Sequence, residues 1–242
     1  MTTLESRFAD NFASFGELGA SVSIWRDGHE IHSLASGWCD RERTIPWNAD
    51  TPVLFWSATK GLSATCLLHA LAVRNLDPHS LRVAEVWPEF AQSGKDQITI
   101  AELLSHRAGL SVLSHPVDVW DYEGVVSALA AEPPHWKPDE GHGYHPRTFG
   151  FLVDELVRRL AGEPIRSYFR THFGEPLALD LWIGVPSDRV EHEAAGESVF
   201  EQEDAVESLD DGLAHPLETG FGKETAAFPK SAGCAHRVKF AE

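Results

Sequence analysis

The heptapeptide "FWSATKG" (residues 55–61) sets a hydroxyl, Ser57, three positions ahead of an amine, Lys60. On a helix, residues i and i+3 share a face, so the two side chains would project side by side. A lysine that has released its proton can accept the hydroxyl proton and turn serine into a nucleophile. The first turn of a helix also presents free backbone N–H groups, which stabilise an oxyanion forming on a group attached to Ser57. The same letters suit an ordinary helix start, with Ser57 as N-cap and Lys60 solvated. Spacing alone leaves both readings open.

Other residues carry potential chemistry with plainer alternatives beside it. Tyr144, in "GHGYHPRTFG", is read by itself as a half-buried loop aromatic; a phenol becomes a useful base only where cations pull its pKa down from about 10. His142 and His145 stand three apart, which suggests a metal, but no third ligand stands in register with them. His106, in "LLSHRAGL", reads as a packed, hydrogen-bonded histidine. Trp56 either lines an acyl pocket or packs in the core. Cys66 reads as a small buried hydrophobe.

The elements that must position these groups follow from periodicity and punctuation. "GASVSIWRDGHEIHSLASGWCD" (19–40) predicts a hairpin: Val22, Ile24, Ile31 and Leu34 mark the strands, and Asp27-Gly28 supplies a tight turn. A loop with two prolines follows. From Ala58 the spacing of Leu62, Cys66, Leu67, Leu68, Leu71 and Val73 predicts a helix. "TIAELLSHRAGL" (99–110) predicts a short helix with Thr99 as N-cap, Glu102 completing a capping box and Gly109 ending it. A helix then a Pro/Gly-rich loop is expected over "VVSALAAEPPHWKPDEGHG". Two more helices are expected in "YHPRTFGFLVDELVRRLAGEPIRSYFRTHF", the first amphipathic through Phe151, Leu152, Leu156 and Leu160.

Ser-x-x-Lys opening an apolar helix after a hairpin is a signature of β-lactamases and penicillin-binding proteins. Three long segments agree in order: "SGWCDRERTIPWNADTPVLFWSATKG", "VAEVWPEFAQSGKDQITIAELLSHRAGL" and "WKPDEGHGYHPRTFGFLVDELVRRLAGEPIRSYFRTHFGEPLALDLWIGVP". They resemble the class C β-lactamase-like serine hydrolases, and within these the family VIII carboxylesterases, from about residue 18 to 190. The resemblance implies that Ser57 is the acylated nucleophile, Lys60 its basic partner and Tyr144 the second-motif tyrosine that activates the deacylating water. It implies an α+β, β-lactamase/transpeptidase-like fold, an antiparallel sheet plus a helical region. Class C lactamases carry Tyr-x-Asn where this chain has Tyr144-His145-Pro146, which suits the esterase branch. A third motif of Lys-Thr-Gly, His-x-Gly or Trp-Gly-Gly type has no counterpart in "LETGFGKETAAF" (217–228) or "PKSAG" (229–233). The expected architecture is therefore C-terminally shortened: an incomplete hydrolase domain over 1–190 and a divergent acidic tail over 191–242.

Composition bounds the rest. Hydrophobic content of 43% and charged content of 24% over 242 residues describe a globular chain with a full-sized core. The net charge is −17, and residues 191–218 hold ten Asp/Glu without Lys or Arg, which predicts a solvated tail and disfavours nucleic acid or an anionic membrane as partner. Three cysteines without CxxC spacing predict neither a disulfide framework nor structural zinc. The N-terminus does not read as a secretory signal, so cytoplasmic residence is expected. The leading expectation is a serine hydrolase for small-molecule esters that needs no metal or organic cofactor. Its alternatives are a catalytically impaired remnant acting as a binding protein, and a β-lactamase or D-alanyl peptidase. A hairpin left with bare edges predicts self-association.

Overall fold

The structure, a computed structural model, describes residues 3–186 and the pair His236–Arg237. The acidic stretch 191–218 and both segments weighed as a third motif lie outside the described residues. These divide into two units, one of residues 3–55, 177–186 and 236–237, the other of residues 56–176.

The first unit opens with α1 (Leu4–Ser14), whose N-terminus is capped by Thr3 Oγ1 accepting the Ser6 N–H at 3.2 Å. The expected hairpin follows as β1 (Gly19–Arg26) and β2 (His29–Gly37). Its two-residue turn puts Asp27 at φ 51° and Gly28 at φ 78°, the pair of positive angles that matches the twist of the flanking strands. Val22 pairs with Leu34 and Ile24 with His32, and a bulge lies between Ile24 and Trp25. That irregularity shifts Ile31 out of the simple alternation seen in the sequence. Beyond β2 the Asp40 carboxylate ties the loop by accepting the Thr44 and Ile45 N–H groups at 3.0 and 2.8 Å. A second small sheet pairs β3 (Asp180–Leu181) with β4 (His236–Arg237).

The second unit is helical. A 3-10 turn (Trp56–Ala58) leads into α2 (Thr59–Ala72). Then come α3 (Val83–Val86), a 3-10 segment (Pro88–Gly94), α4 (Ile100–Leu104), α5 (Tyr122–Ala131), α6 (Thr148–Ala161) and α7 (Ile165–Phe169), the last running into a π-helical turn (Arg170–Gly174). Its core is built where α2 meets α6. Cys66, Leu67, Ala70 and Leu71 of α2 and Leu152, Val153, Leu156 and Val157 of α6 are buried. Each leucine and valine among them contributes about 1.5–3 kcal/mol by leaving water. Leu68 and Val73, part of the same sequence run, are exposed: the run is wider than the stripe α2 can bury. Burial pushes the Cys66 thiol up to about 12, so it behaves as the small hydrophobe its position suggests.

The capping box of α4 forms as its sequence predicts. Thr99 Oγ1 accepts the Glu102 N–H at 3.2 Å, and Glu102 Oε2 accepts the Thr99 N–H at 2.9 Å. The far end differs from expectation. The helix stops at Leu104 with Ser105 as C-cap, and His106 rather than Gly109 takes the left-handed conformation, at φ 61°. Gly109 serves a later reversal at φ 72°, where an added Cβ would collide with the Trp136 carbonyl.

Candidate active site

Three segments of the helical unit build the site: the start of α2, the 105–110 turn after α4, and the 141–147 loop before α6. Ser57 lies in the 3-10 turn and is exposed. It does not cap α2; the N-cap is Ala58, which offers no side-chain bond. Instead Lys60 Nζ donates to Ser57 Oγ at 3.1 Å, so the i+3 spacing delivers the amine to the hydroxyl. The residue before the serine is strained. Trp56 sits at φ 46°, a region a bulky side chain rarely adopts and that costs about 1–3 kcal/mol. Trp56 opens the 3-10 turn that leads into α2, and its indole is 63% exposed, so it is not a core residue.

Tyr144 joins this pair from the 141–147 loop. Lys60 Nζ lies 4.9 Å from the centroid of its ring. Hydrogen-bonding interaction with Ser57, then with Lys60, and the positive charge of Lys60 hold the phenol below its ordinary value. The structure thus brings Ser57, Lys60 and Tyr144 together. Tyr144 is 48% exposed, so solvent reaches the group.

The loop that carries Tyr144 is fixed by residues on either side of it. Gly141 and Gly143 lie on the Trp136 indole; a Cβ at these positions would come within 3.0 and 2.6 Å of the ring. The "GHG" pattern is therefore the imprint of a tryptophan platform that the sequence does not announce. His145 is fully buried and both its ring nitrogens are engaged by backbone. Nε2 accepts the Leu110 N–H at 3.0 Å, which assigns the proton to Nδ1, where it is donated to the Gly143 carbonyl at 2.6 Å. Burial, with the charges of His106 and His142 adding to it, lowers its pKa to about 4. A histidine committed this way has no lone pair left for a metal. Among the described residues, no group of three or more His, Cys, Asp or Glu side chains is placed to hold a metal ion. Thr148 Oγ1 donates to the Leu110 carbonyl at 2.6 Å, so both polar groups of Leu110 are used to join the turn after α4 to the start of α6. His106, read in the sequence as a packed histidine, does pack: its ring centroid lies 4.9 Å from Phe149, 5.0 Å from Tyr144 and 5.3 Å from His145.

A Ser-Lys pair at a helix start with a pKa-lowered tyrosine above it, on this fold, marks a known class. The chain matches the Beta-lactamase family over residues 8–230 and belongs to it. It is 36% identical over 182 residues to Esterase/beta-lactamase LipL of Mycobacterium tuberculosis, covering 74% of this chain and 42% of that protein. To Esterase EstB of Burkholderia gladioli it is 28% identical over 205 residues, 83% of this chain and 45% of that one. Two solved structures have the same fold: a penicillin-binding protein homologue from Caulobacter crescentus (38% identity, TM-score 0.73, 78% of this chain and 52% of that one) and a family VIII carboxylesterase (34%, 0.72, 79% and 53%). The α+β, β-lactamase/transpeptidase-like fold expected from the sequence is thus the one observed. The chain spans about half the length of the relatives it matches.

Proposed function

We propose that the protein is a serine hydrolase that cleaves small carboxylic esters through an acyl-enzyme on Ser57, with Lys60 and Tyr144 as its base system. One observation carries this reading: the 3.1 Å contact from Lys60 Nζ to Ser57 Oγ, beside a phenol held below its ordinary range. Ser57 Oγ attacks the ester carbonyl carbon while its proton passes to Lys60 or Tyr144. The bond to the alcohol oxygen then breaks, and the same proton leaves on the alcohol. Water attacks the acyl-serine, gives one proton to the Lys60/Tyr144 pair and releases the acid, and Ser57 regains its proton. The Ser57 N–H at the helix start supplies one oxyanion donor, a group whose loss typically costs about 10²–10³ in turnover. Two relatives named esterases and the carboxylesterase structure support the substrate class. So does Pro146, which offers no side-chain amide to a β-lactam.

A β-lactamase or D-alanyl peptidase is the second reading, favoured by the double name of LipL and by the penicillin-binding protein homologue. The experiment is labelling with a fluorophosphonate. The expected result is a single adduct on Ser57 that disappears in Ser57→Ala, with turnover of a short-chain nitrophenyl ester and none of a chromogenic cephalosporin. Cephalosporin turnover without ester turnover supports the second reading, and a protein that takes no label points to the catalytically impaired remnant. Cytoplasmic residence belongs to the same proposal, supported by the free buried thiols of Cys39 and Cys66. None of the helices among the described residues is long and apolar enough to cross a membrane. Self-association through the hairpin is supported by its exposed Ile24, Trp25 and Ile31.

A further inference from the structure

Tyr144 sits in a loop with no regular secondary structure and nearly half its surface in solvent, yet its hydroxyl must stay within reach of Ser57 and Lys60. Its own segment supplies no ladder or helix to hold it. The residues immediately before and after it are both bonded to one partner. The Gly143 N–H donates to the His106 carbonyl at 3.2 Å, and the His145 N–H donates to His106 Nδ1 at 3.2 Å. The His106 ring then meets Tyr144 edge to face at 5.0 Å.

We infer that His106 is a positioning residue for Tyr144: it brackets the tyrosine with two hydrogen bonds and a ring contact and so sets the phenol beside Lys60. The inference rests on the proposed role of Tyr144, but its geometry stands without it. His106 is suited to the task in three ways. It adopts φ 61°, which Asn, Asp and His tolerate better than most residues and which turns its carbonyl and ring toward the same loop. Phe149 of α6 packs on its ring at 4.9 Å, so the side chain is braced against a rigid element. Its Nδ1 must keep a lone pair to accept the His145 N–H. Burial first, then the charges of Lys60 and His142, hold the imidazole below its ordinary value and keep it neutral at physiological pH. A neutral ring also places no second cation beside Lys60. A lysine or arginine here would donate where an acceptor is required.

The chain offers a direct readout. It has three tyrosines, and Tyr122 and Tyr168 are both raised by burial, whereas Tyr144 alone is lowered. Ultraviolet titration of the wild type is therefore expected to show one phenol ionising below the ordinary value, assigned by its loss in Tyr144→Phe. Two variants separate acceptor from backbone. His106→Gly keeps the left-handed conformation and removes the acceptor and the ring; His106→Asn keeps the conformation and returns an acceptor near the Nδ1 position. In His106→Gly the low phenol is expected to move up toward its ordinary value, and kcat for a nitrophenyl ester to fall about 10- to 100-fold with KM little changed, the size of loss a misplaced group causes. His106→Asn is expected to restore most of both. The inference is overturned if the low phenol titrates unchanged in His106→Gly while circular dichroism shows it folded, or if His106→Asn is as impaired as His106→Gly at equal melting temperature. A wild type that hydrolyses no ester and takes no phosphonate, but whose phenol responds to His106 as described, refutes the proposed activity and upholds the positioning role.

Discussion

Ser57 and Lys60 are joined by a single short contact, and their chemistry depends on which atom holds the proton. With Lys60 charged, Nζ donates to Oγ; in the proposed mechanism a neutral Lys60, or an ionised Tyr144, accepts the Oγ proton and makes Oγ nucleophilic. Lys60→Met removes the amine while keeping an unbranched side chain about as long as the lysine stem. It is expected to lower kcat for a nitrophenyl ester by about 10²–10⁴, the range for a positioned proton-transfer group, with little change in melting temperature. The phenol adds a pH signature. Because Ser57 and Lys60 lower the Tyr144 pKa, its basic form gains population at a lower pH than in a free phenol. The rate is therefore expected to rise with pH through an inflection below the ordinary phenol value of about 10. Tyr144→Phe should erase that inflection; a profile that keeps it would assign the limb to another group.

The turn after α4 and the loop before α6 are the elements that bring these side chains together, and His145 is the joint between them. Its ring is buried and accepts the Leu110 N–H, which requires the neutral form. The unfolded chain binds a proton on this histidine near its ordinary 6.5, whereas the folded chain does so only near 4. Between those values the unfolded state holds the extra proton, so folding stability falls as pH drops through this window and the loss is complete below about 4. Urea midpoints at pH 7.5 and pH 5 should differ more in the wild type than in His145→Gln. An equal difference would place the pH dependence elsewhere. The capping box of Thr99 and Glu102 was legible in the sequence because both partners lie within one turn. The termination at Ser105 was not, because His106 takes the left-handed conformation that brings it to the 143–145 segment, a contact remote in sequence.

At the scale of the molecule, the hairpin of the first unit presents apolar side chains, Ile24, Trp25 and Ile31, on strands whose sheet has two members among the described residues. Exposed strand edges favour pairing with another chain. Light scattering is expected to show a concentration-dependent increase in mass, reduced in Trp25→Lys; a clean monomer at micromolar concentration removes the proposal. The charge of −17 acts at this scale too. A net charge of this size adds long-range self-repulsion without directing the fold.

What the sequence by itself determined is local: the i+3 spacing of Ser57 and Lys60, the Asp27-Gly28 turn, the Thr99 capping box and the amphipathic run of α6. Each is set by backbone hydrogen bonds and side chains within a few residues of one another. Resemblance over three long segments extended this to the family and to Tyr144. Only the tertiary structure decided that Trp56 is strained and exposed, that Trp136 underlies Gly141 and Gly143, and that His106 ties down both neighbours of Tyr144. It also buried Lys95, whose amine donates to the Ala130 and Glu132 carbonyls at the end of α5 and whose pKa burial lowers to about 8. A charged letter in a polar stretch gives no sign of this. The physical reason is common to all four. Periodicity records which face of an element is buried, whereas a polar group's partner from a distant loop is chosen by packing, and packing leaves no fixed spacing in the chain.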